Sequence, residues 1–383
     1  MDKYNTKPVL VVKAVKQDHN CNEISKLMEE FHFMINEAIR IGLAKNITSK
    51  FTLRNELYPL FKNEFHTSYI SMAVFKAHAI LKNYRKSKKK NTDTKVPYVS
   101  KRFLVVDSGA CKILYNHFYF PAKPRQFIAI PLNTYAGKIL SDPSLKLGSA
   151  ILTANTLSIS YYTDIELQKP RGYVGVDRNL DNITCVNDKG SIQQIDLSEA
   201  TKIKETYRRV RSHFRRNDNR IKTKLFQKYG TKQKNRVNQL LHKTSKQLVS
   251  TNHRIIMENL TGIRKLYKKG NGQGRNYRAK LNGWSYYELQ RQIEYKSLFN
   301  GIPVIYVSPR GTSSKCSRCE EKILEENRMI RCPQCGLHID RDVNAARNIL
   351  ARGMQFVPDG GTSEAMVTVQ RCPVDVPQLE VVA

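Results

Sequence analysis

Two sets of side chains in this sequence have types and spacings that could do chemistry. The first is Cys316-Ser-Arg-Cys319 followed by Cys332-Pro-Gln-Cys335-Gly336. Two C-x-x-C pairs separated by a short polar loop can place four thiolates tetrahedrally about Zn²⁺, at roughly 2.3 Å each. A loop that small and polar lacks the apolar content to fold without the metal. Four cysteines leave no open coordination position, so the zinc is expected to be structural. His338 lies close by but exceeds the ligand count, and it reads as a surface or packing histidine. Disulfides are the competing reading. The other cysteines, Cys21, Cys111, Cys185 and Cys372, are scattered, and the N-terminus has no signal-peptide pattern, so a reducing, cytosolic setting is expected.

The second set is acidic. Asp177 ends the apolar run Gly-Tyr-Val-Gly-Val, and Glu258 ends Arg-Ile-Ile-Met. Asp342 lies in Asp340-Arg341-Asp342-Val343-Asn344-Ala345-Ala346, at the start of a small-residue helix. Any one of these could be a turn or cap residue, as Asp181 is expected to be. Three acids at the ends of successive core elements, in so basic a chain, are harder to explain by capping. Phosphodiester cleavage needs an activated water and a stabilised leaving oxygen, and two Mg²⁺ ions roughly 3.5–4 Å apart supply both. Hard cations take carboxylate oxygens, and clustered acids are tolerable when a metal or protons neutralise them.

The basic excess names the partner. Over 383 residues, Lys+Arg is 65 against Asp+Glu 33, a formal charge of +32 with a pI near 9.9. Such a charge strains a compact fold unless a polyanion shares the surface, and nucleic acid is the expected one. A membrane is disfavoured, because the basic residues are spread through folded-looking segments. There is also no lipidation motif and no apolar run of spanning length.

The elements that must position these groups can be read from periodicity. Residues 8–14 suggest a strand. From Cys21 a helical face carries Ile24, Leu27, Met28, Phe31, Ile35, Ala38 and Ile39. A second helix carries Ile70, Val74, Ala77 and Leu81 and runs into Arg85, Lys86, Lys88, Lys89 and Lys90, either phosphate contacts or a solvated basic face. A strand-like stretch ends at 155–164. Three short β runs follow, Tyr173–Asp177, Asn182–Asn187 and Ser191–Asp196, with a hairpin turn at Asp188-Lys189-Gly190. A helix opening at Ser198 and Glu199 has the apolar face Ile203, Tyr207, Val210 and Phe214. Its other face is Lys202, Lys204, Arg208, Arg209, Arg211, Arg215 and Arg216. Strand candidates recur at 254–258 and 303–308. Three antiparallel strands, then helix, strand, helix and strand, is the order of an RNase H-type α/β fold.

With these residues in view, GVDRNLDN, IIMENLTGI, WSYYELQRQIEYKS, IPVIYVSPRGTSSKCSRC and DRDVNAARNIL resemble the TnpB (OrfB) proteins of bacterial and archaeal insertion sequences. These are relatives of the type V CRISPR nucleases. The resemblance is strong over residues 171–350 and weak over 1–168. It implies a RuvC-type, Mg²⁺-dependent DNA endonuclease, guided by an RNA transcribed from the element's own end. Asp177, Glu258 and Asp342 match its successive acids, and Asp342 is preferred to Asp340 because it directly precedes x-N-A. The helix bearing Arg208, Arg209, Arg211, Arg215 and Arg216 matches in place the family's bridging helix along the guide–target duplex. Trp284, Tyr286 and Tyr287 are expected to pack.

The expected organisation is an N-terminal strand-plus-helical nucleic-acid-binding region at 1–168 and a RuvC-like core at 169–311. A zinc ribbon at 312–339 interrupts that core, which resumes over 340–353 before a disordered tail at 354–383. Two rival functions share the motifs: a transposase that joins DNA strands, and a non-catalytic, RNA-guided DNA binder.

Overall fold

Apolar side chains at helical spacing between Ile24 and Ile39 are buried as one stripe, as expected of a helix packed on a single side. In a computed structural model, which describes residues 9–214, 219–260, 263, 272 and 274–355, the chain divides into two units. One comprises Leu10–Asp164 and the other begins at Ile165. The first unit contains β1 (Val9–Asp18), α1 (Ile24–Ala44), α2 (Lys50–Phe61) and α3 (Thr67–Lys88). These are followed by β2 (Leu104–Val106), β3 (Lys112–Leu114), β4 (His117–Lys123) and β5 (Gln126–Pro131). It closes with α4 (Thr134–Leu140), β6 (Lys146–Leu152) and β7 (Thr156–Ile165).

Its strands form a four-stranded sheet, β1-β7-β6-β2, and a three-stranded one, β3-β4-β5. The expected stripe of the second helix, Ile70, Val74, Ala77 and Leu81, is buried in α3. Sequence periodicity missed α2, which Ser49 caps by accepting from Phe51 N. The basic block does not act as a unit. Arg85 donates to the carbonyl oxygens of Gly42 (3.3 Å) and Ile47 (2.7 Å), closing the end of α1, whereas Lys86, Lys88, Lys89 and Lys90 are exposed.

The second unit contains β8 (Tyr173–Arg178), β9 (Asn182–Asn187), β10 (Ile192–Asp196), α5 (Ser198–Ser212) and α6 (Asn219–Val249). Next come β11 (Arg254–Glu258), α7 (Arg275–Asn282), α8 (Tyr286–Phe299) and β12 (Ile305–Val307). The short strands β13 (Leu324–Glu326), β14 (Met329–Arg331) and β15 (His338–Asp340) then lead into α9 (Arg341–Met354). The five-stranded sheet has the order β10-β9-β8-β11-β12. Its first three strands are antiparallel, while β11 runs parallel to both β8 and β12. Gly190, at φ +81°, makes the β9–β10 turn, where a side chain would be strained.

Alternation along the strands divides the sheet into two faces. Val174, Val176, Ile183, Cys185, Ile255 and Met257 pack into one core with α5, α6 and α8. The alternate residues face α9, where Ile256 and Val307 meet Ile349 and Leu350, and Val186 meets Val343 and Ala346. Gly175 lets the helix come this close, because a Cβ there would lie 2.3 Å from the carbonyl oxygen of Ala346. Among the described residues, no helix is long and apolar enough to cross a membrane. Of the tail expected at 354–383, Met354 is the last residue of α9, and residues 356–383, like Arg215 and Arg216, lie outside the described residues.

Candidate active site and cysteine centre

Parity that sends Val174 and Val176 into the helical core sends Gly175 and Asp177 to the face covered by α9. The parallel pairing of Met257 with Val176 brings Glu258, at the end of β11, level with Asp177 on the same face. Asp342 arrives from the other side, in the first turn of α9, only 4% exposed. Its neighbour Asp340 is occupied as the helix cap, accepting from Asp342 N at 2.8 Å and Val343 N at 3.1 Å. The two acids of Asp-Arg-Asp are thus separated by geometry: one closes a helix end, and the other points its carboxylate elsewhere.

Asp177 records the company of the other two. Its pKa is pushed from 3.8 up to about 7, chiefly by burial and then by the charge of Glu258, with Asp342 adding to the effect. Opposing this are a bond from Asn179 Nδ2 to Asp177 Oδ2 (2.9 Å) and the nearby charge of Arg178. The cross-strand partner of Asp177 is Thr184, fully buried, whose hydroxyl has no hydrogen-bond partner among the described residues. An unpaired buried hydroxyl is costly unless something at the site satisfies it.

Residues overlooked by sequence reasoning hold the other acids. Thr312 donates its hydroxyl to Glu258 Oε1, and Arg328 donates from Nη2 to Asp342 Oδ2. Arg178 is 3% exposed, on the opposite face of β8 from Asp177. Its guanidinium donates to the carbonyl oxygen of Glu258 (2.5 Å) and to Gln290 Oε1 (2.9 Å). A buried guanidinium spanning two strands ties the backbone of Glu258 to the strand that carries Asp177. Asp-Arg at 177–178 was a visible signal, since a strand residue directly after an outward acid must face the core.

The cysteines converge as their spacing predicts. The Sγ atoms of Cys316, Cys319, Cys332 and Cys335 all lie within 4.8 Å of one another, an arrangement that fits a tetrahedral zinc. The two knuckles repeat one backbone plan. Cys316 N donates to Glu321 O and Glu320 N to Cys316 O, just as Cys332 N donates to Leu337 O and Gly336 N to Cys332 O. In the second knuckle the left-handed position is Gly336 (φ +70°), and in the first it is Glu320 (φ +63°). β13, β14 and β15 form their own sheet, with Ile323, Ile330 and Leu337 packed beside the cysteines. Two asparagines of α9 clasp the ribbon's entry: Asn344 bonds Ser317 N and Lys315 O, and Asn348 bonds Thr312 O and Lys315 O. His338 is exposed.

The basic helix is only partly as expected. Arg208 and Arg209 are exposed, but Arg211 is half-buried and donates to Gln233 Oε1 at 2.8 Å, within the α5–α6 pairing. Phe214 lies beyond the end of α5, against Phe226 and Tyr229 of α6. Of the three aromatics expected to pack, Trp284 contacts Tyr286, which is buried, whereas Tyr287 is 54% exposed. Tyr287 sits in the first turn of α8, one position round from the face that Tyr286 and Leu289 bury.

An α/β sheet with acids gathered at the C-terminal ends of its inner strands, and a four-cysteine ribbon between its last strand and last helix, defines a recognisable class. The family model described as Cas12f1-like, TNB domain matches residues 286–349, and that of the uncharacterized protein MJ0013 family matches 27–118. TnpB-like protein MJ0751 of Methanocaldococcus jannaschii is 32% identical over 249 residues, spanning 60% of this chain and 88% of that protein. CRISPR-associated endodeoxyribonuclease Cas12f1 of Sulfoacidibacillus thermotolerans is 40% identical over 99 residues, spanning 25% of this chain and 21% of that one. Among solved structures, a Cas12f1–sgRNA–target DNA complex aligns with a TM-score of 0.55 at 16% identity, covering 86% of this chain and 83% of that one, a likeness of fold. This chain belongs to the TnpB family, which is related to the type V CRISPR nucleases.

Proposed function

We propose that this protein is an RNA-guided DNA endonuclease encoded by a transposable element, with an RNase H-like, RuvC-type core holding Mg²⁺ at Asp177, Glu258 and Asp342. The observation that carries the reading is the state of Asp177. It is buried near the C-terminal end of the central strand β8, with its proton affinity raised by burial, by Glu258 and by Asp342. Such a group favours the arrival of positive charge. The donors are oxygens throughout, which suits a hard divalent cation, and the unpartnered Thr184 hydroxyl beside Asp177 is a further oxygen for its hydration shell. Bound there, the metal would supply Lewis acidity for attack on a phosphodiester and for departure of the leaving oxygen.

The chain's own residues set the geometry. Arg178 fixes the backbone spacing of Asp177 and Glu258, Thr312 orients the Glu258 carboxylate, and the Asp340 cap fixes the first turn that carries Asp342. The exposed Arg208 and Arg209 are suited to phosphates of a guide–target duplex, in which base pairing reads the sequence. The names of relatives support the same reading, Cas12f1 being called an endodeoxyribonuclease. The guide is proposed to come from the element's own end, and the four cysteines to hold structural zinc.

Purified protein with its copurifying RNA is expected to cut a matching plasmid only when Mg²⁺ is present. Asp177→Ala should abolish cutting while binding survives. Equal cutting by the variant would defeat the assignment, and strand-joined products without RNA would favour a transposase instead.

A further inference from the structure

Lys204 stands on the basic side of α5, yet its ammonium group turns inward. Nζ donates to the carbonyl oxygen of Gly283 at 2.5 Å and to Ser285 Oγ at 2.6 Å. These acceptors flank Trp284, whose indole Nε1 donates to the carbonyl oxygen of Asn179 at 2.9 Å. Asn179 in turn donates from Nδ2 to Asp177 Oδ2 at 2.9 Å and to Asn182 Oδ1 at 3.2 Å. The contacts form an unbroken path from the basic helix to the carboxylate of the first acid. Half-burial holds the Lys204 ammonium down to about 8, a desolvation cost that a lysine kept at the surface for solubility would not bear.

Each step removes a freedom that would otherwise let Asp177 drift. Lys204 fixes the residues on both sides of the indole. The indole then holds the Asn179 carbonyl, while the Asn179 N–H donates to Asn182 O at 2.9 Å and so keeps the turn between β8 and β9 closed. A turn held at both its peptide and its side chain presents the Asn179 amide to one oxygen of Asp177 and leaves the other oxygen available.

We infer that Lys204 and Trp284 are positioning residues for the Asp177 carboxylate, acting through Asn179 to keep one oxygen bonded and the other directed to a divalent cation. The inference rests on the reading of Asp177 as a metal-holding acid. Helix packing alone would make Lys204 matter for stability and leave metal affinity untouched.

Mn²⁺ titration of the full chain with its copurified RNA, read by the spectroscopic signal of free Mn²⁺ and by thermal unfolding, separates these roles. Lys204→Met and Trp284→Phe are each expected to weaken Mn²⁺ binding by about tenfold, the scale of supporting residues around metal ligands. The double variant should lose little more than either single one, because both act along one path. Lys202→Met, an exposed neighbour on the same helix, should bind as wild type. Unchanged affinity in the folded variants, or losses that multiply in the double variant, would overturn the inference. Should Lys204→Met fail to fold, Trp284→Phe decides, since it keeps an aromatic side chain while removing the indole donor. If wild type shows no Mn²⁺ binding that Asp177→Asn abolishes, the metal reading of the site falls and this inference with it.

Discussion

Arg328, in the turn between β13 and β14, places its guanidinium on the Asp342 carboxylate, and its own carbonyl oxygen accepts from Arg341 N at 2.8 Å. A side chain from the cysteine ribbon thereby neutralises an acid of the candidate active site. Arg328 is largely exposed at the ribbon's tip, while Asp342 is buried, so the bond can open without unpacking a core.

A cation arriving at Asp342 must compete with that guanidinium. Arg328→Gln is therefore expected to tighten Mn²⁺ binding by about two- to fivefold in the absence of DNA, the scale of a partly exposed ion pair. Weaker binding in the variant would show that Arg328 supports the site.

The raised proton affinity of Asp177 predicts how stability depends on pH. Folding lifts this pKa from 3.8 to about 7, so the folded state holds the proton more tightly than the unfolded one. Below pH 3.8 both states are protonated and there is no cost. Between 3.8 and about 7 the unfolded chain releases its proton first, so stability falls as pH rises, and above 7 the whole penalty is present. Asp177→Asn should match wild type near pH 4 and exceed it at pH 8 in urea titrations, with zinc retained and other divalent cations removed. Added Mg²⁺ should close that gap by stabilising wild type alone. Parallel profiles at all pH values would refute the account.

Thr184→Val tests the unpaired hydroxyl. Valine has the same shape and suits a strand, so the metal-free protein should gain about 1–2 kcal/mol from losing a buried, unsatisfied group. Metal affinity should fall in the same variant, by isothermal titration with Mn²⁺. A stability loss would mean that the hydroxyl already has a partner in solution.

Backbone strain in the first cysteine knuckle is relieved by Glu320→Gly. At φ +63° a glycine avoids a clash worth about 1–2 kcal/mol but loses entropy on folding, leaving a net gain of about 0.5–1 kcal/mol for the zinc-loaded ribbon. Competition for zinc against a chromophoric chelator should show the variant holding the metal more tightly. Removing zinc altogether should loosen the entry that Asn344 and Asn348 clasp, and so lower the melting temperature.

Much of the second unit was legible because its signals are local. Strand alternation, the Asp188-Lys189-Gly190 turn and the paired C-x-x-C spacing all depend on near neighbours, and each appears where the pattern places it, whereas the helix face read through Phe214 stops at Ser212. α2 was missed because its buried residues Leu53, Leu57 and Phe61 are interspersed with the exposed Phe51 and Leu60, which blurs the apolar stripe, and because Pro59 lies within it. Lys204 and Arg211 read as members of a basic face, since sequence shows their charge and not the acceptors at Gly283 and Gln233.

The sequence by itself determined that four thiolates would be available at tetrahedral spacing, and that acids would stand at the ends of apolar strands. Spacing and alternation decide those features residue by residue. Only the tertiary structure decided that Asp340 caps α9 while Asp342 turns to Arg328, and that Asn179 holds Asp177. Those choices depend on α9 crossing β8 at Gly175 and on a parallel register between strands far apart in the chain, contacts that no local pattern encodes.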